Sequence, residues 1–394
     1  MQNNMQDDKK RILVFSTAYY PFVGGAEVAI KEITDRLGGK FDFDLITAKF
    51  DKNLPNFEKI GNVNIHRIGG WGSTLDKILL PFRGFLLSNK LSEQKEYFCM
   101  WGMMVTFGSG AGYLLNIYRK LTLKNRIPMV LTLQEGDSES HLRFKWFGLI
   151  ALSWKLALFQ TDILTGISNF LLNRAKNNGY KNESFLVPNG VDVSIFGTAV
   201  SDEVTQQMKN ALEKKDGEVF LVTTGRLTHK NATDDIISSL PKLPQNVNLI
   251  VIGKGDEGLN LQKLADSLGV ASRVKFLGFV PYSEIPKYFS VCDIFIRPSR
   301  SEGFGNSFIE AMASKLPVVA TPVGGIPDFL TDNETGVFCS PDNPQSIVKA
   351  VNRIMSDDIL RKQIVENAYN MVVERYDWNH VSFKMGEVFD KVSN

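Results

Sequence analysis

Between Asp293 and Leu330 the chain runs DIFIRPSRSEGFGNSFIEAMASKLPVVATPVGGIPDFL. This stretch spells strand, glycine-containing loop, helix, strand and second glycine loop in direct succession. The apolar run Ile294–Ile296 predicts a buried parallel strand, because β-branched and aromatic residues crowd a short segment that Pro298 and Ser299 end. Gly303 and Gly305 predict a flexible turn. Asn306 or Ser307 can cap a helix that continues through Met312. Val318–Ala320 reads as the next strand, with Gly324-Gly325 in the loop after it. Two carboxylates, Glu302 and Glu310, flank the first turn, and the stretch is read as the floor of an active site.

The same design recurs along the chain. RILVFST is a strand, AYYPFVGGAE a glycine turn, and a helix bearing Val28, Ala29, Ile33 and Leu37 follows until Gly38-Gly39. DFDLITA and VNIHRIG are further strands. Residues 78–125 read as mainly helical, PMVLTLQEGD as a strand running into an acidic loop, residues 144–159 as an apolar helix, DILTGIS as a strand and Asn169–Asn177 as a helix. After Pro188-Asn189-Gly190, a turn signal, Asp192–Gly217 is polar and marks a boundary. The pattern then restarts with EVFLVTTGRL, NVNLIVIGKGDEG and RVKFLGFV, and turns helical from Gln345. Repeated strand–helix units imply α/β architecture with parallel sheets covered on both faces. A chain of 394 residues fits two domains. The expected division is 1–195, 196–375 and a C-terminal helix over 376–394.

At 43% hydrophobic and 22% charged the composition is that of a globular protein. Residues 1–190 hold 24 Lys+Arg against 17 Asp+Glu, the remainder 21 against 26. The asymmetry reads equally as scatter or as a first domain that meets an anionic lipid surface. Cys99, Cys292 and Cys339 are widely spaced and form no metal or disulfide pattern. The polar start MQNNMQDDKK lacks the apolar core of a signal peptide, and no run reaches the roughly 18 apolar residues needed to span a bilayer. A cytoplasmic protein is expected, peripheral to a membrane at most.

Four features bear on chemistry. GKGDEG, Gly253–Gly258, follows a strand and precedes a helix like a dinucleotide fingerprint. The next strand, RVKFLGFV, lacks the terminal carboxylate that would hold the ribose, so the glycines are read as a strand-to-helix turn and hydride transfer is set aside. TTGRLTHK places Arg226 and Lys230 just beyond a strand end, where open α/β sheets bind ligands, and two cations there suit a diphosphate. The alternative for Lys230 is a surface pairing with Asp234 at i, i+4. Gly24-Gly25 can present backbone N–H groups and a helix dipole to an anion, or be a bland turn. Glu310, between Ile309 and Ala311, is costly to bury without partners, and sugar hydroxyls are such partners. No HxxH, HExxH, DxD-like or GxSxG pattern occurs, so neither an essential metal nor a covalent hydrolase is expected.

With these residues on the page, the chain resembles, over nearly its whole length, the retaining GT-B-fold glycosyltransferases of glycosyltransferase family 4. EGFGNSFIE matches that family's E-x7-E signature, and YPFVGGAE, PNGVD, GRLTHK, VIGKGD and FLGFV follow the family's order. The resemblance implies two Rossmann-like α/β/α domains facing across a cleft, the C-terminal helix with Trp378 crossing back to the first. It implies a nucleotide-diphosphate sugar as donor and a glycan or lipid-linked acceptor, in envelope or exopolysaccharide synthesis. A nucleic-acid partner and a cofactor are not expected. Gly24 and Gly25 would face the donor diphosphate, which Gly225, Arg226 and Lys230 would hold. Glu310 would bind the ribose, and Phe279 and Val280 would border the base. Glu302 would hold the donor sugar, with Gly303, Phe304, Gly305, Asn306 and Ser307 beside sugar and phosphate.

Two positions depart from the family pattern. Gln134 stands where the family often has a histidine, and Asn231 where it usually has a glycine. Glutamine can hydrogen-bond a sugar hydroxyl but cannot become cationic. The implied reaction is transfer with retention by front-face attack, the leaving diphosphate accepting the acceptor's proton. The rivals are a nucleotide-sugar 2-epimerase of the same architecture and a non-catalytic nucleotide-sugar-binding protein.

Overall fold

In the computed structural model, residues 9–71, 74–136 and 149–392 are described. The polar N-terminus and the first residues of the helix expected over 144–159 lie outside them. The chain divides into unit 1, Met1–Asn189 with Trp378–Asn394, and unit 2, Gly190–Asp377.

Unit 1 is built on eight strands: β1 Lys10–Phe15, β2 Phe41–Ala48, β3 Phe57–Ile60, β4 Val63–Ile68, β5 Cys99–Met103, β6 Met129–Leu133, β7 Ile163–Gly166 and β8 Ser184–Leu186. They lie in the order β3-β4-β2-β1-β5-β6-β7-β8. All pairs are parallel except β3 with β4 at one edge. Strands β5 and β6 are buried throughout, and β1 is buried from Ile12 on, which is why these segments run apolar rather than alternating.

Residues 78–125 are mainly helical, as read, but they also hold a strand that the reading did not include. Helices α2, Thr74–Gln94, and α3, Gly108–Leu121, are separated by β5, which sits next to β1 in the middle of the sheet. Its sequence CMWGM has no β-branched residue, so local preference does not betray it. Tertiary context overrides that preference. Trp101 donates from Nε1 to Thr132 Oγ1 at 2.8 Å, and a Cβ on Gly102 would lie 2.7 Å from Ser109 Oγ.

The C-terminal helix Trp378–Lys391 belongs to unit 1 and packs beside helix α1, Gly25–Leu37. Phe389 meets Phe41 and Trp101 edge-on, with ring centres 5.5 and 5.4 Å apart. Trp378, Val381, Met385 and Phe389 join Ile12, Val14, Phe41, Phe43 and Trp101 in one core. The last residues of the chain therefore complete the hydrophobic centre laid down by the first.

Unit 2 carries β9 Val219–Thr224, β10 Val247–Ile252, β11 Val274–Gly278, β12 Ile294–Arg297, β13 Val318–Ala320 and β14 Val337–Phe338. Their order is β11-β10-β9-β12-β13-β14, all parallel. One covering layer is formed by helices Thr233–Ser239, Gly258–Ser267 and Pro344–Ser356, whose Ile236, Leu261 and Ile347 are buried against Leu221, Leu249 and Ile296.

All five tryptophans of the chain fall in unit 1, so tryptophan fluorescence follows that unit alone. Phe389→Ala should lower the stability of unit 1 by about 3–5 kcal/mol, the usual cost of emptying a buried phenylalanine site. The expected result is an earlier tryptophan transition in urea. An unchanged midpoint would remove the C-terminal helix from the core.

Candidate functional site

In a doubly wound sheet the loops beyond two neighbouring strands diverge where the winding reverses, and ligands bind there. In unit 2 that point lies between β9 and β12, since β10 and β11 extend from one side and β13 and β14 from the other. The loop after β9 is Gly225-Arg226-Leu227-Thr228-His229-Lys230. The loop after β12 runs to Glu302 and Gly303-Phe304-Gly305. Two segments far apart in sequence are thus brought together by strand order alone.

Hydrogen bonds fasten the two loops. The Arg300 backbone N–H donates to Lys230 O at 2.8 Å, and its Nη1 to His229 O at 2.8 Å. The same guanidinium pairs with Asp234 at 2.9 Å, Asp235 at 3.2 Å and Asp342 at 2.5 Å. Hydrogen bonding with Asp234 is the main reason its protonated form is held above the ordinary arginine range. Asp234 is therefore engaged by Arg300, and the i, i+4 pairing of Lys230 with Asp234 is not made. Among the described residues no carboxylate pairs with the side chain of Arg226 or Lys230; Arg226 is exposed and Lys230 half-buried.

Arg297, the last residue of β12, was missed by the sequence reading. It is buried and donates from Nη1 to Ser307 Oγ at 2.8 Å and from Nη2 to Asn231 Oδ1 at 2.9 Å. Nη2 also forms a short ion pair with Glu302 Oε2. Glu302 Oε1 accepts the Gly303 N–H at 3.0 Å. Asn231 in turn donates from Nδ2 to Arg226 O. The signal was available: a cation closing an otherwise apolar strand, IFIR, needs a buried partner.

Backbone closeness explains the glycines. Gly253 has φ +138°, and a Cβ there would lie 1.9 Å from Gly225 O; one on Gly255 would lie 2.2 Å from Leu227 O. GKGDEG is thus the bed on which the GRL loop rests, and the Leu227 N–H donates to Lys254 O at 3.0 Å. Gly324 does the same for the other loop, since its Cβ would lie 1.8 Å from Glu302 O.

Helix Asn306–Ala313 starts at the switch point. Its N-cap is Gly305, in the left-handed region at φ 93°, with no side-chain cap. This corrects the expectation that Asn306 or Ser307 caps it: the Ser307 hydroxyl is taken by Arg297. An uncapped helix start favours an anion. Phe304 is buried against Phe329 and Tyr376, which anchors the glycine turn. Glu310 lies on this helix, buried; burial pushes its carboxyl up to about 7, against the opposing charge of Arg297.

Unit 2 therefore gathers Gly225, Arg226, Lys230, Glu302, Gly303, Phe304, Gly305, Asn306, Ser307 and Glu310 about one switch point. Phe279 and Val280 follow edge strand β11, two strands away, with Phe279 exposed. Gly24, Gly25 and Gln134 belong to unit 1. Gly24 is the N-cap of α1, also without a side-chain cap. Gln134 follows β6 and is fastened to the buried Asn189, donating from Nε2 to its Oδ1 at 3.1 Å.

Residues 204–371, most of unit 2, match the family model for glycosyl transferases group 1. An uncharacterized glycosyltransferase of Methanocaldococcus jannaschii is 26% identical, over 96% of this chain and 97% of that protein. Among solved structures, sucrose-phosphate synthase from Thermosynechococcus elongatus is similar with a TM-score of 0.83 at 18% identity, covering 98% of this chain and 99% of that one. Anabaena HepE in complex with UDP and glucose is similar with a TM-score of 0.77 at 21% identity, covering 97% of this chain and all of that one, 100%.

The buried Glu310 makes a pH prediction. Its folded value, about 7, lies above its ordinary 4.5, so its contribution to stability is complete below pH 4.5 and is lost as pH rises through 7. Glu310→Gln removes that loss. The stability difference between variant and wild type should grow in the variant's favour by on the order of 3 kcal/mol from pH 4 to pH 8. Urea unfolding followed by circular dichroism measures it, and a pH-independent difference would contradict the burial.

Proposed function

We propose that this chain, which belongs to the group 1 glycosyl transferases and has the GT-B fold, moves a sugar from a nucleotide-diphosphate donor to a glycan or lipid-linked acceptor with retention at the anomeric carbon. The observation that carries this reading is the meeting of Arg226 and Lys230, two cations with no carboxylate partner among the described residues, with Glu302 and an uncapped helix start at one switch point.

In this reading the diphosphate lies against Arg226, Lys230, Gly225 and the amides of Phe304, Gly305, Asn306 and Ser307, beside Gly303, whose own N–H is held by Glu302. Those donors stabilise the charge that develops on the leaving group. Glu302 holds donor-sugar hydroxyls, Glu310 accepts from the ribose, and Phe279 and Val280 border the base. In unit 1, Gly24 and Gly25 serve the phosphate and Gln134 a sugar hydroxyl. The acceptor attacks on the face the diphosphate leaves from, and a diphosphate oxygen takes its proton. No enzymic nucleophile is required. With the phosphate charge met by two side chains and helix amides, activity is expected to survive chelation with EDTA. The HepE complex with UDP and glucose supports a uridine diphosphate donor as the first to try.

The acceptor is read from unit 1. Phe82, Leu86 and Lys90 share one face of α2, and both apolar side chains are exposed, as are Leu121 at the end of α3 and Leu123 after it. Several of the cations counted in the sequence are engaged: Lys124 with Glu93, Arg126 with Asp162, Arg83 with Asp76. A peripheral contact with an anionic leaflet, on the cytoplasmic side, therefore rests on apolar side chains with Lys90 and Lys120 beside them. Among the described residues no helix is long and apolar enough to cross a membrane.

Glu310→Ala should mainly weaken nucleotide binding. Glu302→Ala should mainly reduce turnover, leaving free nucleoside diphosphate affinity within about threefold of wild type, since its loss touches the sugar rather than the leaving group. Calorimetry and product release distinguish them, and the reverse pattern would exchange the two roles. Product with the inverted anomer would end the retaining mechanism; acceptor-independent isomerisation of the donor would favour the 2-epimerase. Binding to liposomes that does not depend on anionic lipid would remove the charged part of the membrane contact.

A further inference from the structure

Glu302 has to do two things that conflict. Paired with a guanidinium, it is a carboxylate that can accept hydrogen bonds from sugar hydroxyls, yet it sits at the switch point where a diphosphate is to bind. A bare carboxylate there repels the donor, and more strongly because it is buried. The structure resolves the conflict from behind. Arg297 closes β12, and its guanidinium meets Glu302 Oε2 on one nitrogen and Ser307 Oγ on the other. Its charge also opposes that of Glu310. One buried cation thus serves both carboxylates of the signature.

The other contacts of Arg297 tie this charge balance to the phosphate loop. Nη2 also donates to Asn231 Oδ1, and Asn231 Nδ2 donates to Arg226 O, so the backbone of Arg226 is hydrogen-bonded through a single side chain to the partner of Glu302. Gly225 is close enough that a Cβ on it would lie 3.5 Å from Arg297 Nη1. A glycine at position 231 has no side chain to bridge with. The asparagine that departs from the family pattern is the acceptor that a buried arginine at 297 requires.

We propose that Arg297, with Asn231, is the positioning element of the donor site: it cancels the charge of Glu302 toward the diphosphate, holds its orientation, and fixes the Arg226–Lys230 loop in register with it. This rests on the reading of Glu302 as the sugar-holding carboxylate. The charged groups about Arg297 are Glu302 and Glu310 on its own side and Arg226 and Lys230 on the facing loop. Arg300, three residues on, is committed to Asp234, Asp235 and Asp342.

The test uses the full-length chain and UDP and GDP as probes, taking whichever binds wild type tighter, with the corresponding nucleotide-glucose for turnover. Arg297→Met should weaken nucleoside diphosphate binding by about tenfold or more, because the Glu302 carboxylate loses its ion-pair partner and is left uncompensated toward the phosphates. Adding Glu302→Gln should restore binding to within about threefold of wild type, since the uncompensated charge is gone. A merely structural role for Arg297 predicts no rescue, and that result would overturn the proposal. Should Arg297→Met fail to fold, Arg297→Lys decides: it keeps the charge but not the fork, so binding within about threefold and turnover at least about tenfold lower are expected. Wild-type turnover, or binding lost as severely as turnover, would refute it. Glu302→Gln alone separates the two levels. If it turns over normally, the reading of Glu302 falls. If it is inactive while Arg297→Met behaves as wild type, the positioning role alone falls.

Discussion

Everything proposed for unit 2 depends on β9 and β12 being hydrogen-bonded neighbours. Parallel strands point their carboxyl ends the same way, so adjacency places the loop after Thr224 against the loop after Arg297. Neither loop makes a site by itself. GRLTHK has cations and no carboxylate, whereas SRSEGFG has a carboxylate and a helix start. The ladder between Leu221 and Ile294 and between Val222 and Phe295 is short, and the loops would diverge beyond it without further ties. Arg300 and Arg297 supply those ties, one at the rim through three aspartates and one at depth through Asn231 and Glu302.

The two arginines differ in the physics they rely on. Arg300 is a partly solvated fork among carboxylates, where screening limits what each pair contributes. Arg297 is buried, and the Glu302 pair contributes through geometry and charge balance more than through net stability, because desolvating both ions offsets much of their attraction. A pair of that kind is weak cement but a strong determinant of direction. It fixes which way two carboxylate oxygens face.

Much of the architecture was legible in the chain. Apolar runs bounded by glycine and proline located β12, β13 and the helix Asn306–Ala313 because there propensity, periodicity and turn chemistry agree. The failures have a common cause. Strand β5 was hidden because CMWGM gains its strand character only from burial between β1 and β6. The Arg297 network was hidden because its members, at 231, 297, 302 and 307, meet only after the sheet has formed. Carboxylates within one motif are visible in a line of letters; the cation that balances Glu302 from the end of the preceding strand is visible only as an anomaly, an arginine where an apolar residue is expected.

The GKGDEG turn carries a wider consequence. Its glycines leave room for protein backbone, at Gly225 and Leu227, and not for a pyrophosphate. Selection acting on such a position would resemble selection on a binding residue, since any side chain there would dislodge the loop that bears Arg226. Sequence variation across descendants of this chain would mark Gly253 and Gly255 as invariant while a ligand footprint would leave them blank. Invariance of that kind records the thickness of a backbone, and a map of the site drawn from it would be one layer too deep.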